Sequence, residues 1–217
     1  MTYYTALAIN LSCAMLPVIG GWIRIKSLDK ASRIIFLAVA FSFVTECFAF
    51  FAAKAYHNNA PVYNIGNIIQ LFIIALYFNG CVKLFQKSNI GLYIGLFSVA
   101  LGILNLCFLE SFDRYNSNFF LYQAVLIFIM GTFYFRQVIL PSYIKKYLTP
   151  HLWFTIILVA FYTLDLFALS LYSYFSDQSR NHTELVDNFI LAFSAISNVG
   201  FACVFFFYPK MTLSDVG

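Results

Sequence analysis

The sequence predicts an all-α bundle of membrane-spanning helices, and three observations carry that expectation. Of 217 residues, 62% are hydrophobic and only 10% charged, the mean hydropathy is +0.81, and the apolar residues gather in long runs. An ordinary soluble domain carries roughly 25% charged residues. Seven runs of about 20 residues use roughly 140 residues and leave roughly 75 for loops and tails. No sizeable soluble catalytic or signalling domain fits in that remainder, so residues 1–217 read as a single transmembrane domain.

Taken in order, the runs are broken by charged or Pro- and Asn-containing stretches. The first, 4–23, has no basic residue before it; Arg24 follows it, so it is expected to persist as a helix rather than be cleaved as a leader. The second, 34–55, carries Glu46, and the third, 62–82, carries Asn64, Asn67 and Gln70. The fourth, 90–109, places Gly91, Gly95, Ser98 and Gly102 along its length and Asn105 near its end. Its GxxxG spacing lets helices approach closely; packing within the bundle is the favoured reading, ahead of a homo-oligomer formed through Gly91 and Gly95. The fifth, 118–139, carries Gln123, the sixth, 152–174, carries Tyr162 and Asp165, and the seventh, 186–207, carries Ser194 and Asn198.

Lys and Arg in short loops mark the cytosolic side, because their transfer across a bilayer is disfavoured. Arg24, Lys26, Lys30, Arg33, Lys83, Lys87, Arg136, Lys145, Lys146 and Lys210 fall on one side, and only Lys54, Arg114 and Arg180 on the other. The chain is therefore expected to run N-out and C-in, in the plasma (inner) membrane. The net charge of +4 needs no nucleic acid to explain it, since these residues set topology and touch anionic lipid. Cys13, Cys47, Cys81, Cys107 and Cys203 sit inside runs at different depths without CxxC spacing, and read as small apolar side chains.

A weak internal repeat is legible. The second run aligns with the sixth so that Glu46 meets Asp165, Phe48 meets Phe167 and Ala49 meets Ala168. Val62-Tyr63-Asn64-Ile65 aligns with Val186-Asp187-Asn188-Phe189, while Ala14, Leu16 and Gly21 align with Ala124, Leu126 and Gly131. The pattern is a 3+1+3 plan of two parallel triplets joined by the fourth run. In size, topology and repeat plan the chain resembles the seven-helix SWEET-type sugar facilitators and related small carriers, which implies a carrier fold. Their Pro-Gln signature is missing; the intraspan prolines are Pro17 and, at the end of the fifth run, Pro141. The topology also resembles that of microbial rhodopsins, whose retinal requires a lysine in the last span; 186–207 has none, so no such cofactor is expected.

Ionisable residues at bilayer depth cost roughly 2.5–3.5 kcal/mol on insertion scales and normally mark a site. Glu46 and Asp165 are the two here, at matching depth and with no Lys or Arg at their level. An unpaired carboxylate there needs a proton, a cation or a dense set of donors. Asn10, Asn64, Asn67, Gln70, Asn105 and Gln123 all fall in the outer halves of their runs, and Ser194 and Asn198 extend the set inward. Ser42 shares the face of Glu46, and Tyr162 that of Asp165. Together they predict a polar cup open to the outside and floored by apolar packing, with Tyr3, Tyr4, Tyr56, Tyr63, Tyr122 and Tyr172 near its rim. For any single amide, an interhelical hydrogen bond is the plainer role.

His57 and His182 fall outside and His151 inside, so a zinc cluster is not expected, and no Gly-Xaa-Ser-Xaa-Gly elbow, P-loop or HExxH motif is present. An intramembrane hydrolase is accordingly the third reading, with no catalytic residue assigned. Asn181-His182-Thr183 is an outer-loop glycosylation sequon, meaningful only in a secretory pathway. The first reading is a receptor- or sensor-like protein whose cup binds a small polar or cationic ligand and signals through a membrane or cytosolic partner. The second is a facilitator or a proton- or cation-coupled transporter.

Overall fold

The computed structural model describes residues 3–139, 149–175 and 180–213. Pro141, Lys145 and Lys146 lie outside the described residues, as do the side chains of Tyr3, Tyr4, Tyr172, His182 and the sequon. Eight helices follow in chain order among the described residues: α1 Tyr3–Arg24, α2 Lys30–Tyr56, α3 Ala60–Cys81, α4 Lys83–Ser88, α5 Ile90–Phe108, α6 Ser117–Ile139, α7 Pro150–Phe175 and α8 Arg180–Leu213. Every expected run falls on a helix. The short α4 lies where only a loop is expected.

Six helices, α2, α3, α5, α6, α7 and α8, are long and apolar enough to cross a membrane, and α1 adds a shorter apolar stretch, Ala8–Arg24. Their outward faces carry Trp22, Leu37, Phe48, Phe51, Phe97, Phe108, Phe128 and Phe167, all exposed. Water would penalise such a surface by roughly 25 cal/mol per Å², whereas lipid tails solvate it. This is an integral membrane protein.

Local signals set the helix ends. Asp29 caps α2 by accepting the Ser32 N–H at 2.7 Å, and His57 closes the same helix in a left-handed turn (φ 55°) with its N–H on the Ala53 carbonyl. Pro61 occupies the first turn of α3, where its missing N–H costs nothing. Asn89 takes the other left-handed position (φ 51°) between α4 and α5.

Six helices pack in a closed ring, α1–α2–α3–α6–α7–α8 and back to α1, with α2 and α7 also touching across it. The fifth helix stands outside, against α3. A Cβ on Gly91 would lie 2.6 Å from the Ala75 carbonyl, and one on Gly102 2.6 Å from Ile68, so the glycine face of α5, with Gly95 against Phe72, is turned to α3.

Candidate functional site

A cavity of about 560 Å³ is enclosed by the six ring helices, at the end where α2 and α7 finish and α3 and α6 begin. From α2 it takes Ser42, Thr45 and Glu46; from α3, Tyr63, Asn67 and Gln70. The seventh helix supplies Phe161, Tyr162 and Asp165, and α1 and α8 supply Asn10 and Ser194. Asn59, Tyr115 and Ser117 ring the mouth. Glu46 and Asp165 each lie ten residues before the last residue of their helices, about 15 Å along the axis at 1.5 Å per residue. The basic residues Arg24, Lys26, Lys30, Arg33, Lys83, Lys87 and Arg136 all belong to the opposite end of the bundle.

The donor and acceptor balance of the lining is uneven. Glu46 accepts one hydrogen bond, from the Tyr63 hydroxyl at 2.9 Å. Asp165 receives none from a described residue, and Asn10, only 4% exposed, keeps its Oδ1 without a donor. No Lys, Arg or His lines the space. Tyr115 projects from the loop between α5 and α6; burial pushes its phenol pKa up, and the Asp165 and Glu46 carboxyls add to the shift against a hydrogen bond from Asn67.

The sequence-derived site residues divide into two groups. Glu46, Asp165, Asn67, Gln70, Tyr162 and Ser194 meet in this cavity. Asn198 lines a smaller chamber of about 80 Å³ beneath it, which shares Ser42, Glu46, Gln70, Phe161, Tyr162 and Ser194. Asn64, Gln123 and Asn105 lie outside the lining. Fully buried Asn64 donates to the Phe112 and Arg114 carbonyls (3.0 and 2.8 Å) and accepts the Asn116 N–H (2.9 Å), pinning the loop that carries Tyr115. Asn105 donates to Glu110 at 2.7 Å and to Asn116, whose Oδ1 also caps the Phe119 N–H of α6. Gln123 stands behind the wall, donating to the Tyr162 hydroxyl at 2.9 Å.

Among the residues that sequence reasoning left out of the site, Thr45 could have been found from Ser42, three residues earlier and one helical turn away. Tyr115 carried no signal, because a loop residue has no periodicity from which to read depth. Of the expected rim, Tyr63 lines the cavity, Tyr56 is exposed, and Tyr122 bonds Ser98 at 2.9 Å.

Towards the basic end the interior is filled by aromatic side chains. Phe154 packs on Phe205 with ring centroids 5.0 Å apart and stacks on Phe201 at 6.0 Å, while Phe36 meets Phe205 edge-on at 5.9 Å. A polar clasp lies below. His151 Nε2 sits 2.8 Å from Asp29 Oδ2, the Asp29 N–H and the Ser32 hydroxyl donate to the Tyr208 hydroxyl, and the Tyr77 hydroxyl donates to the His151 carbonyl at 3.2 Å. The clasp joins α2, α3, α7 and α8. Burial alone would raise the Asp29 pKa, but the hydrogen bond and charge of His151, together with Ser32, outweigh it and hold the carboxyl at about 2.

Among the described residues no three His, Cys, Asp or Glu side chains come together in a way that could hold a metal ion. The arrangement defines a helical membrane bundle with a cavity into which two carboxyls project. No protein-family model matches the chain, and no curated protein or solved structure does either.

Proposed function

We propose that this is a seven-span, N-out membrane protein of the plasma (inner) membrane whose outward cup captures a small polar or cationic ligand, acting as a receptor or sensor. The observation that carries the proposal is the lining itself: two carboxyls, unsatisfied amide oxygen and aromatic walls in one space, with no basic residue among them and packed phenylalanines beneath. Ligand binding would bias two helix arrangements by its differential affinity for them. With such short loops, the signal passes to a partner, for which the basic stretches 24–33 and 136–146 of the sequence are the candidates.

A carrier is the second reading, and a specific observation favours it. The ring order places α3 against α6 and α8 against α1, the pairs that exchange when α1–α2–α3 is rotated onto α6–α7–α8. Within that swap Ala49 and Ala168 are both 1% exposed, and Phe48 and Phe167 are 63% and 55% exposed. Gly21 abuts Phe36 across α1–α2, and Gly131 abuts Val159 across α6–α7. These correspondences support a parallel repeat of the kind that transport folds use.

Both readings are tested in liposomes holding the purified protein, challenged with primary amines, quaternary ammonium ions, amino acids and sugars. At least one class is expected to raise the melting temperature of the wild type, with the rise lost in the Glu46→Gln/Asp165→Asn double variant. Binding without uptake establishes the sensor, and uptake that the double variant abolishes establishes the carrier. A cup that responds to no class overturns both.

A further inference from the structure

We propose that the ligand of the cavity is a small organic dication, an alkane α,ω-diamine, with one ammonium group taken by Glu46 and the other by Asp165. This rests on the cup reading above and names its chemistry.

The argument begins with charge. Two carboxyls share one cavity inside an apolar bundle, and no cationic side chain lines it. Ionised together without counter-charge they would repel, and each would bear a desolvation penalty of several kcal/mol. Two positive charges delivered by one solute remove both penalties at once; a monocation leaves one carboxyl to be neutralised by a proton.

The two carboxyls come from different walls of the cavity, Glu46 from α2 and Asp165 from α7, so the ligand is held by two helices rather than one. Each retains acceptor capacity. Glu46 accepts one hydrogen bond, from the Tyr63 hydroxyl on Oε2, and Asp165 receives none from a described residue. An ammonium group brings three donors, more than a carboxylate alone absorbs. Asn10, buried against the cavity with its Oδ1 lacking a donor, supplies a further neutral acceptor.

The walls suit what lies between the charges. Phe120, Phe161, Tyr162 and Tyr115 line the same space, and aromatic faces take both methylene groups and, through the ring quadrupole, alkylammonium ends. A volume of about 560 Å³ falls in the range of small-molecule sites and leaves room for a short chain with its waters. A zwitterion or an anion would bring a carboxylate or phosphate into a lining that has no cation to receive it.

The test is calorimetric titration of the full chain in lipid nanodiscs, at fixed ionic strength, with 1,5-diaminopentane, pentylamine and 1,5-pentanediol. The diamine is expected to bind at least tenfold tighter than the monoamine. Glu46→Gln and Asp165→Asn, each taken alone, are expected to bring the diamine to the monoamine's level, and Asn10→Ala to weaken it several-fold; a monodisperse elution profile verifies that each variant is folded. Equal affinity for diamine and monoamine, or a loss confined to one of the two acids, overturns the dication. If both amines fail while the diol or a solute of the earlier panel binds, the cup survives and the dication falls; if nothing binds, both fall.

Discussion

The two ends of this bundle are made of the same six helices yet solve opposite problems. Around Glu46 and Asp165 the helices stand apart, polar atoms lack partners, and a cavity of about 560 Å³ remains. Around Phe154 and Phe205 the side chains are fully buried, and Asp29, Ser32, His151 and Tyr208 below them bond to one another, with His151 Nδ1 and Arg24 Nε left without partners. In a bilayer the burial of apolar side chains between helices gains little over contact with lipid, so association depends on close packing and on satisfied polar groups. The comparison teaches that the packed end supplies the stability that the open end gives up.

The largest expected effect follows from removing the packed end's central ring. Phe154→Ala deletes a fully buried side chain that contacts the rings of Phe201, Phe205 and His151, and a loss of about 3–5 kcal/mol is expected for such a cavity. In nanodiscs it should show as a large fall in melting temperature. Glu46→Gln, by contrast, keeps a partner for Tyr63 and removes an ionisable group from the cavity, so its melting temperature should hold or rise, as when a function-directed group is neutralised. Equal falls for the two variants would break the division of labour between the ends.

An intermediate effect is expected at Asn64, which belongs to the open end by position and to the packed end by chemistry. Its three hydrogen bonds hold the loop at 112–116. Asn64→Ala leaves the buried Asn116 N–H and two part-buried carbonyls without partners, at a cost of about 1–3 kcal/mol. Amide exchange in 109–116 should accelerate, releasing Tyr115 from the mouth. The control is Gln70→Ala, further along α3 and in the lining, which should leave that exchange unchanged. Acceleration in both variants would mean that the loop depends on the cavity as a whole and not on Asn64.

Asn64 also marks where the sequence stops being readable. The existence and order of the long helices could be read from hydropathy alone, because a span must satisfy its own backbone and face lipid. The pairing of Glu46 with Asp165 in one space could be read from their depth, since carboxyls at bilayer depth have few alternatives to the bundle interior. Amides have more. Asn64, Asn67 and Gln70 share one arc of α3, yet Asn64 turns to a loop while the other two line the cavity. That choice depends on which neighbour offers a free carbonyl, which helical spacing does not encode. The clasp was hidden for a related reason: Asp29 and His151 stand 122 positions apart, and only the closure of the ring brings them within 2.8 Å.

The clasp supplies the smallest expected effect and the most specific one. Asp29→Asn preserves a side chain able to cap α2 and removes only the charge facing His151. Because the Asp29 side chain is half-exposed, solvent screens the pair, and a loss of under about 1 kcal/mol is expected at neutral pH. The sign of its pH dependence follows from the lowered pKa. In the folded chain the carboxyl titrates at about 2, below its ordinary value of 3.8, so its stabilisation is complete above 3.8 and is lost as pH falls towards 2. The difference in melting temperature between wild type and Asp29→Asn should therefore stay constant down to about pH 4 and shrink between 4 and 2. A difference that persists unchanged at pH 2 would show that Asn fails as a cap in that position, and that the clasp stabilises the packed end through helix geometry and not through charge.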